Sequence, residues 1–466
     1  MPASDTHRLD RPPSDAAIVG LMCVGLFVLN WALNGGEYLN YLRGPVRFDA
    51  EAGRLARSLV EHGTFGDPFG PLPTGPSTHL PPLFPLLFAA VIQLQGVGPD
   101  AWNTINIIGG SAVSAWIALL PLAARRLGIS PWAGLAGGLA AAVANLRHFP
   151  EWDANLAGAL LVLLTIAAAP GLRGRPSALR RSSSMAVGLL WALVLHVNAT
   201  TLVLFATWTV GLWIVWRERV WRTALVWSVA LPVALLVPWT VRNWYVFDRP
   251  ILLRGNLGLE LATSHNACAS PGLLQTLESG CFAIVHPDLS LAEAVRMRDL
   301  GEPAYHAARL REATSWIAGH PGRTWSLTLR RIVLFWWPSP RDAVLDEWWT
   351  STPPRRFRII AVATLLSVVG LLRLFVAGAQ EPRDGTGSGR AAWVAGLVLA
   401  APLLLFPIVY YLLQFEDRYR YPILWVTFLL AGHALVDRAR RFRASPDLRR
   451  GEPRHRADER TVGARR

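Results

Sequence analysis

Charged side chains are scarce in this sequence: Asp, Glu, Lys and Arg make up only 17% of its 466 residues, whereas 52% are hydrophobic. With a mean hydropathy of +0.30, this composition excludes an ordinary soluble protein. The sequence also lacks a Walker A loop, a dinucleotide-type glycine fingerprint after a strand, a zinc-spaced Cys/His set and a nucleophile elbow. These absences argue against nucleotide-driven pumping and against hydrolysis of the soluble type.

Long apolar runs dominate the chain instead, and about ten of them have the length and apolarity of a membrane-spanning helix. They lie near 16–34, 102–124, 131–148, 154–169, 185–198, 200–216, 223–241, 357–376, 392–413 and 421–436. The stretch 185–216 is broken only by a few polar residues, so one tilted helix is an alternative there. An eleventh span is left open in 321–358. The sequence therefore predicts an all-α polytopic membrane protein.

The distribution of arginine predicts the orientation of the chain. The net charge is +14, but the arginines cluster between and after apolar runs, where they set membrane orientation rather than bind nucleic acid. No small-residue cleavage pattern follows the first run, which is therefore expected to stay as a signal anchor. With the N-terminus cytoplasmic, the arginine clusters fall mostly on the cytoplasmic side. We expect the C-terminus there too, with 437–466 as a basic, disordered tail.

This topology leaves three segments on the outer side: 35–101, 147–153 and 242–356. The first contains a predicted amphipathic helix, DAEAGRLARSLVEHG, and an apolar stretch, Leu83 to Leu94, that is too short to span and suits the interface. The third is large enough for a small α-rich extracytoplasmic domain. We expect an N-terminal transmembrane module at 1–241, this domain at 242–356 and C-terminal transmembrane helices at 357–436.

Three acidic side chains at the outer ends of predicted spans are candidates for function, because carboxylates are costly to hold near hydrocarbon. Asp49 begins the amphipathic helix, where a role as an ordinary N-cap is equally consistent with its position. Glu151 and Asp153 lie in a turn on the same side, and Asp153 as the cap of the next helix is slightly favoured. Carboxylates that converge from two loops can activate a hydroxyl or hold a divalent metal.

Cationic residues on the same side are candidates for binding a phosphate. His79 precedes a proline pair that would hold it rigidly, although a loop histidine is more often only solvated. Arg242, Arg418 and Arg420 lie just outside spans, where a guanidinium can grip phosphate oxygens or anchor a helix at the interface. Three arginines on one face favour the phosphate pocket.

Two cysteines, Cys268 and Cys281, lie 13 residues apart in the segment 242–356. If this segment is extracytoplasmic, they can form a disulfide. Two free thiols are about equally consistent with the sequence.

Several segments, in order, resemble the bacterial GT-C glycosyltransferases related to family 39, which include protein O-mannosyltransferases and the aminoarabinose transferase of lipid A. These segments are FDAEAGRLARSLVEHG, PPLFPLLFAA, PEWDANLAGALL, PWTVRNWYVFDRPILLRGNLGLEL, REATSWIAGHPGRTWSLTLRRIVLFW and YYLLQFEDRYRYPIL. The resemblance covers about residues 16 to 436. It implies a GT-C helical bundle in the bacterial inner membrane that moves a sugar from a polyprenyl-phosphate carrier to an acceptor on the extracytoplasmic face.

The resemblance also implies roles for the acidic residues. Asp49 matches the first-loop acid that acts as general base on the acceptor hydroxyl. Asp153, or else Glu151, matches the second acidic point. Many relatives have adjacent acids in the first loop where this sequence reads Asp-Ala-Glu, so Glu51 can share or take over the role of Asp49.

On the donor side, the resemblance places His79 near the phosphate and Arg418 and Arg420 in a late Arg-Tyr-Arg-like motif. Arginine can stabilise the charge that grows on a departing phosphate. A divalent metal, Mg²⁺ or Mn²⁺, could assist, and the sequence leaves open whether one is used. The expected partners are a polyprenyl-phosphate sugar, membrane lipids and a glycan, lipid or protein acceptor.

A lipid or oligosaccharide transporter, or a flippase, is the main alternative. Transporters carry polar residues mid-span and often contain inverted repeats, whereas here the candidate acids lie at helix ends and no repeat is visible. A membrane scaffold that binds a partner through 242–356 is a third hypothesis. The pattern favours the enzyme.

Overall fold

The structure of the chain, a computed structural model, describes residues 15–40, 48–146, 153–172, 181–214, 219–338, 355–380 and 388–444. Within these ranges the chain forms helices and two isolated β-bridges, which confirms the all-α prediction. The helices are α1 Asp15–Asn40, α2 Glu51–His62, α3 Leu83–Gln95, α4 Pro99–Leu127, α5 Pro131–Ala144, α6 Ala154–Leu172, α7 Arg181–Val197, α8 Leu202–Ile214, α9 Arg219–Leu225, α10 Leu231–Phe247, α11 Leu257–Ser264, α12 Leu273–Glu278, α13 Phe282–Val285, α14 Leu291–Leu300, α15 Glu302–Gly319, α16 Pro321–Trp336, α17 Arg355–Ala379, α18 Ser388–Leu405, α19 Ile408–Leu412 and α20 Tyr421–Ala444.

Helix ends fall where the backbone chemistry of the sequence allows them. Helix α4 begins at Pro99, whose missing N–H costs nothing in a first helical turn, and is followed by Gly128 in the left-handed conformation. Helix α2 ends in the same way at Gly63, whose N–H donates to the carbonyl of Leu59 at 3.0 Å. Glycine adopts this conformation without steric cost, so the sequence indicates these two helix boundaries.

Five helical segments are long and apolar enough to cross a membrane: Asp15–Leu39, Pro99–Leu127, Arg222–Phe247, Arg356–Ala379 and Gly389–Leu412. Shorter apolar helices accompany them at Leu83–Gln95, Pro131–Ala144, Ala154–Ala169, Arg181–Val197 and Ala199–Ile214. The apolar stretch 185–216 holds two helices, because α7 ends at Val197 and a 3₁₀ turn, Ala199–Thr201, precedes α8. In the part of 321–358 that is described, α16 buries Leu327, Thr328, Arg331 and Phe335 at helical spacing and is amphipathic rather than apolar all round.

Helix α20 forms the centre of the bundle, and its residues are buried without interruption from Tyr421 to Gly432. Glycines let its neighbours approach closely. A Cβ at Gly432 would lie 2.0 Å from the carbonyl oxygen of Ala133 in α5, and one at Gly370 of α17 would lie 2.1 Å from that of Leu430. Small residues at helix crossings are the usual means of close packing in membranes, because burial of apolar surface contributes little to helix association there.

The amphipathic helix α2 packs on α3 and on the first turns of α4. Phe48 meets Trp102 edge to face with ring centroids 5.3 Å apart, and Ala52 and Phe88 are buried in the same cluster. The apolar face of α2 thus fixes the helix against the end of the bundle, so that its first turn points at the helix ends described below.

A second, more polar unit is built from the loop 63–82 and the helices α11 to α16. Phe69 of the loop is buried with Leu259, Met297 and Tyr305, which come from α11, α14 and α15. Arg54 of α2 forms an ion pair with Asp288, and the backbone N–H of Gly70 donates to the same carboxylate at 3.2 Å. These contacts hold the loop between α2 and the polar unit.

Candidate active site

Glu51 and His79 form an ion pair at the first turn of α2. Nε2 of His79 lies 2.9 Å from Oε1 of Glu51; the histidine side chain is fully buried, whereas that of Glu51 is 28% exposed. Burial favours the neutral imidazole, but the Glu51 carboxylate outweighs it and raises the pKa of His79. Burial likewise opposes ionisation of Glu51, but His79, with help from Arg418, lowers its pKa. Each partner therefore stabilises the charged form of the other.

Side chains from two helices hold the loop that carries His79. Oε1 of Glu302, a buried side chain at the start of α15, accepts hydrogen bonds from the N–H and the hydroxyl of Thr78, at 2.6 and 2.7 Å. Arg242 of α10 donates to the carbonyls of Ser77 and Phe65 at 3.0 and 2.9 Å. The histidine predicted as a rigid residue before a proline pair is thus held by the residues that precede it in the loop.

Asp153 lies directly before α6 and accepts a hydrogen bond from Nδ2 of Asn198 at 3.0 Å. Asn198 also caps the 3₁₀ turn between α7 and α8 by accepting from the N–H of Thr200. Burial raises the pKa of Asp153, although Arg418, Arg254 and Asn198 act in the opposite direction. The break in the apolar stretch 185–216 therefore supplies the hydrogen-bond partner of a candidate acid.

Arg418 links the two acidic points. Its Nε lies 2.8 Å from Oε2 of Glu416, and its charge acts on both Glu51 and Asp153. Burial opposes the positive charge of Arg418, but the surrounding anions outweigh it and raise its pKa. The charge of a guanidinium from the turn before α20 thus acts on acids at the starts of α2 and α6. We call this end of the bundle the site end.

Glu416 was not singled out from the sequence, although it stands in the quoted segment FEDRYRYP. Burial, opposed by Arg418 and reinforced by Asp417 and Glu51, raises its pKa to about 7. The neighbouring Asp417 is engaged elsewhere, because its Oδ2 accepts from the buried Arg356 of α17 at 2.8 Å. Of three consecutive charged residues, Glu416 and Arg418 therefore pair with each other, whereas Asp417 pairs with α17.

Further ionisable residues of the site end come from the polar unit and were also missed. Arg254 pairs with Glu260 at 2.9 Å and acts electrostatically on Asp153 and His79. Burial lowers the pKa of His286 to about 3, and its Nδ1 accepts from the N–H of Asp288. His286 is therefore neutral near pH 7, and its pKa is shifted in the opposite direction from that of His79. Arg254 lies in RPILLRGNLGLEL, which is part of a segment that carries the family resemblance. Its position in that segment is the signal from which it could have been predicted.

The other predicted site residues have different surroundings. Asp49 is exposed and does not cap α2, whose N-cap position is Ala50. Arg242 is occupied with loop carbonyls, as described above, and the buried Arg420 donates to the carbonyl of Trp336 at 3.0 Å and to Thr364. Their assignment to a phosphate stays a prediction. Glu151 lies outside the described residues, as does the tail beyond residue 444.

A divalent metal does not fit the donor set that is described. No group of three or more His, Cys, Asp or Glu side chains in the described ranges is arranged to hold a metal ion. Glu51 faces the imidazolium of His79, and Glu416 faces Arg418, so cationic side chains already balance these carboxylates. We therefore route no step through a metal.

The Sγ atoms of Cys268 and Cys281 lie at bonding distance, 2.08 Å, and their Cα atoms are 5.7 Å apart. The bridge links the segment after α11 to the start of α13, within the polar unit. The pairing lies within the Cα distance expected for a disulfide.

No family model matches the sequence, and no curated protein is significantly similar to it. Among solved structures, the fold is similar to that of the archaeal oligosaccharyltransferase AglB from Archaeoglobus fulgidus in complex with an inhibitory peptide and a dolichol-phosphate, with a TM-score of 0.50, 12% identity, and coverage of 94% of this chain and 53% of that one. The apo form of the Archaeoglobus fulgidus oligosaccharyltransferase gives a TM-score of 0.50 at 14% identity, covering 91% of this chain and 51% of that one.

At such low identity the likeness shows the fold alone, and this chain spans about half the length of those structures. The fold is that of a polytopic membrane protein of the GT-C type, as the sequence predicted. The likeness does not single out the branch related to family 39 or a bacterial origin.

Proposed function

We propose that this protein is an integral membrane glycosyltransferase that moves a sugar from a polyprenyl-phosphate carrier to an acceptor hydroxyl. The observation that carries the proposal is that the charge of Arg418 acts on acids of two separate elements at one end of a GT-C type bundle. The AglB structure named above was solved with a dolichol-phosphate, a lipid phosphate of the same chemical kind.

The transfer needs two things at the sugar carbon. A base must take the proton of the acceptor hydroxyl, and the negative charge growing on the departing lipid phosphate must be stabilised. Arg418 supplies the second, because a guanidinium binds phosphate oxygens through forked N–H groups. Residues His79 and Arg254 add positive charge nearby.

The base is assigned to Asp49 by the resemblance, and its exposure two residues before Glu51 leaves it open to an acceptor. Glu51 suits this role less, since a carboxylate whose pKa is lowered by its pairing with His79 is a weaker base. Its function is to hold the imidazolium of His79. Asp153 is the competing candidate, because burial raises its pKa and thereby its basicity.

Substitution of each acid tests the assignment. Purified Asp49→Asn and Asp153→Asn variants are compared with wild type for transfer from a panel of labelled polyprenyl-phosphate sugars. A base is identified by a loss of kcat of about 10²-fold or more without a loss of donor binding. The matched control is Glu61→Gln, an exposed carboxylate on α2 that pairs only with Arg57 among the described contacts. Transfer at the wild-type rate by both variants would remove this mechanism, and no transfer by wild type from any carrier sugar would remove the function.

The orientation of the site end toward the extracytoplasmic side and the location in a bacterial inner membrane belong to the same proposal. The arginine distribution in the sequence supports the orientation, and the resemblance to bacterial glycosyltransferases supports the location. Labelling of an introduced cysteine at Asp49 by a membrane-impermeant reagent in intact cells would test the orientation.

A further inference from the structure

The guanidinium that the proposed function gives to the donor phosphate is already in contact with a carboxylate. Nε of Arg418 lies 2.8 Å from Oε2 of Glu416, and the Glu416 side chain is 13% exposed. A phosphate that binds Arg418 through its forked N–H groups must share or displace this contact. Glu416 therefore competes with the donor for the same cation.

The surroundings of Glu416 disfavour a second anion. Glu51 and the adjacent Asp417 both act on it as like charges. Asp417 is balanced by Arg356, and Glu51 by His79, whereas Glu416 depends on Arg418. The charged and titratable groups that act on this pair are Asp417, Tyr419, Glu51 and Asp153. Arg254 and Glu260 act in turn on Asp153 and Tyr419. Among these described carboxylates, Glu416 is the one whose direct ion-pair contact is lost when a phosphate takes Arg418.

We propose that Glu416 is a proton-linked gate on Arg418: its carboxylate holds the guanidinium in the empty site and takes up one proton when a phosphate displaces it. The balance is simple. One proton from solvent adds to the Glu416 carboxylate, no covalent bond of the ligand changes, and release of the ligand returns the proton and restores the ion pair. This inference rests on the proposed function, because it takes Arg418 as the phosphate ligand.

The physical reason for proton uptake is electrostatic. A buried carboxylate without its counter-ion favours the neutral form, because burial penalises the charge. Burial already raises the pKa of Glu416 to about 7 while Arg418 is still beside it. Removal of that cation raises it further, so a bound phosphate and a neutral Glu416 occur together. Protonation also removes the repulsion that a carboxylate would exert on the phosphate.

Calorimetric titration of the full chain in phosphatidylcholine nanodiscs with farnesyl methyl phosphate tests the gate. This phosphodiester keeps one negative charge throughout the neutral range, so any pH dependence belongs to the protein. We expect binding by wild type to weaken about tenfold between pH 6 and pH 8, the linkage for a group with a pKa of about 7. Titrations in buffers of different ionisation enthalpy should show uptake of close to one proton at the higher pH.

The Glu416→Gln variant should bind with an affinity near the low-pH wild-type value at every pH and take up no proton. This gain at high pH also shows that the variant is folded. The control Glu61→Gln should behave as wild type, because Glu61 is exposed and far along α2. This control separates the effect of breaking the Glu416–Arg418 pair from a general effect of removing a carboxylate.

Three results would overturn the gate. Wild-type binding without pH dependence, or pH dependence that persists in Glu416→Gln and so belongs to another group such as His79, would each refute it while leaving the proposed function in place. If Arg418→Ala binds the phosphodiester as wild type does, Arg418 is not the phosphate ligand, and both the gate and the phosphate part of the proposed function fail.

Discussion

The Glu51→Gln substitution should destabilise the protein in a way that depends on pH, because Glu51 is the counter-ion of a fully buried histidine. Breaking a buried ion pair by removing one partner costs about 3–5 kcal/mol. Two features reduce this figure: the Glu51 side chain is 28% exposed, and His79 can escape by losing its proton. We therefore expect a loss of about 1–3 kcal/mol in the free energy of unfolding at neutral pH.

The sign of the pH dependence follows from the two pKa shifts. The raised pKa of His79 stabilises the fold fully below its ordinary value of 6.5, and this contribution is lost as the pH rises through the raised value. The lowered pKa of Glu51 stabilises the fold above its ordinary value of 4.5, and this contribution is lost as the pH falls. The pair thus stabilises wild type most between these limits, and the variant should differ least from wild type at high pH.

Unfolding in mixed micelles with increasing SDS, followed by tryptophan fluorescence at several pH values, measures this difference. The control is Glu61→Gln, which removes an exposed pair with Arg57 on the same helix, with side chains 40% and 41% exposed. It should change stability by less than about 1 kcal/mol at every pH. Equal losses in the two variants, or a loss in Glu51→Gln that does not vary with pH, would refute the reasoning.

Two further substitutions test the packing. Gly432→Ala should lower the free energy of unfolding by about 1–3 kcal/mol, because the new Cβ would meet the backbone of α5. Gly20→Ala is the control and should be close to neutral, because a Cβ there meets nothing within 4 Å. Unfolding in SDS compares the two variants, and equal effects would count against close packing at α20. Cys281→Ser should cost about 3 kcal/mol by releasing the loop between residues 268 and 281, and reduction of wild type should match it; an unchanged unfolding midpoint in both would contradict a stabilising bridge.

The helices were largely predictable because an apolar run long enough to span a bilayer has few other stable structures. The predicted helix beginning in DAEAGRLARSLVEHG and the interfacial stretch Leu83 to Leu94 correspond to α2 and α3. The central position of α20 could not be predicted from its apolar run alone. It depends on backbone contacts at Gly370 and Gly432 with partners far away in the sequence.

The candidate site was predictable in its residue types but not in its pairings. Helical periodicity offered a signal for Glu51, since it lies one turn before the buried Leu55 and therefore on the packed face of α2, whereas Asp49 precedes the helix. Asn198 was visible as a break in an apolar stretch, but its partner Asp153 is 45 residues away. Glu416 was missed because the interpretation of its segment rested on the neighbouring arginines as phosphate ligands.

A polar network within the first spans bears on the choice between an enzyme and a transporter. Asn30 donates to Ser114 and Tyr38, and Asn34 donates to Asn30 and to the carbonyl of Ala142. The side chains of this network are neutral at physiological pH and satisfy one another, which is the usual role of polar residues that join helices. The network therefore joins α1 to α4 and α5 and stabilises the bundle.

The ionisable groups with perturbed pKa values that we describe are instead gathered at the site end, where loops meet helix ends. A carrier that moves an anionic lipid needs charges along its path, whereas a transferase needs them at one depth, beside both substrates. The action of Arg418 on both Glu51 and Asp153 therefore agrees with the proposed transferase rather than with a carrier.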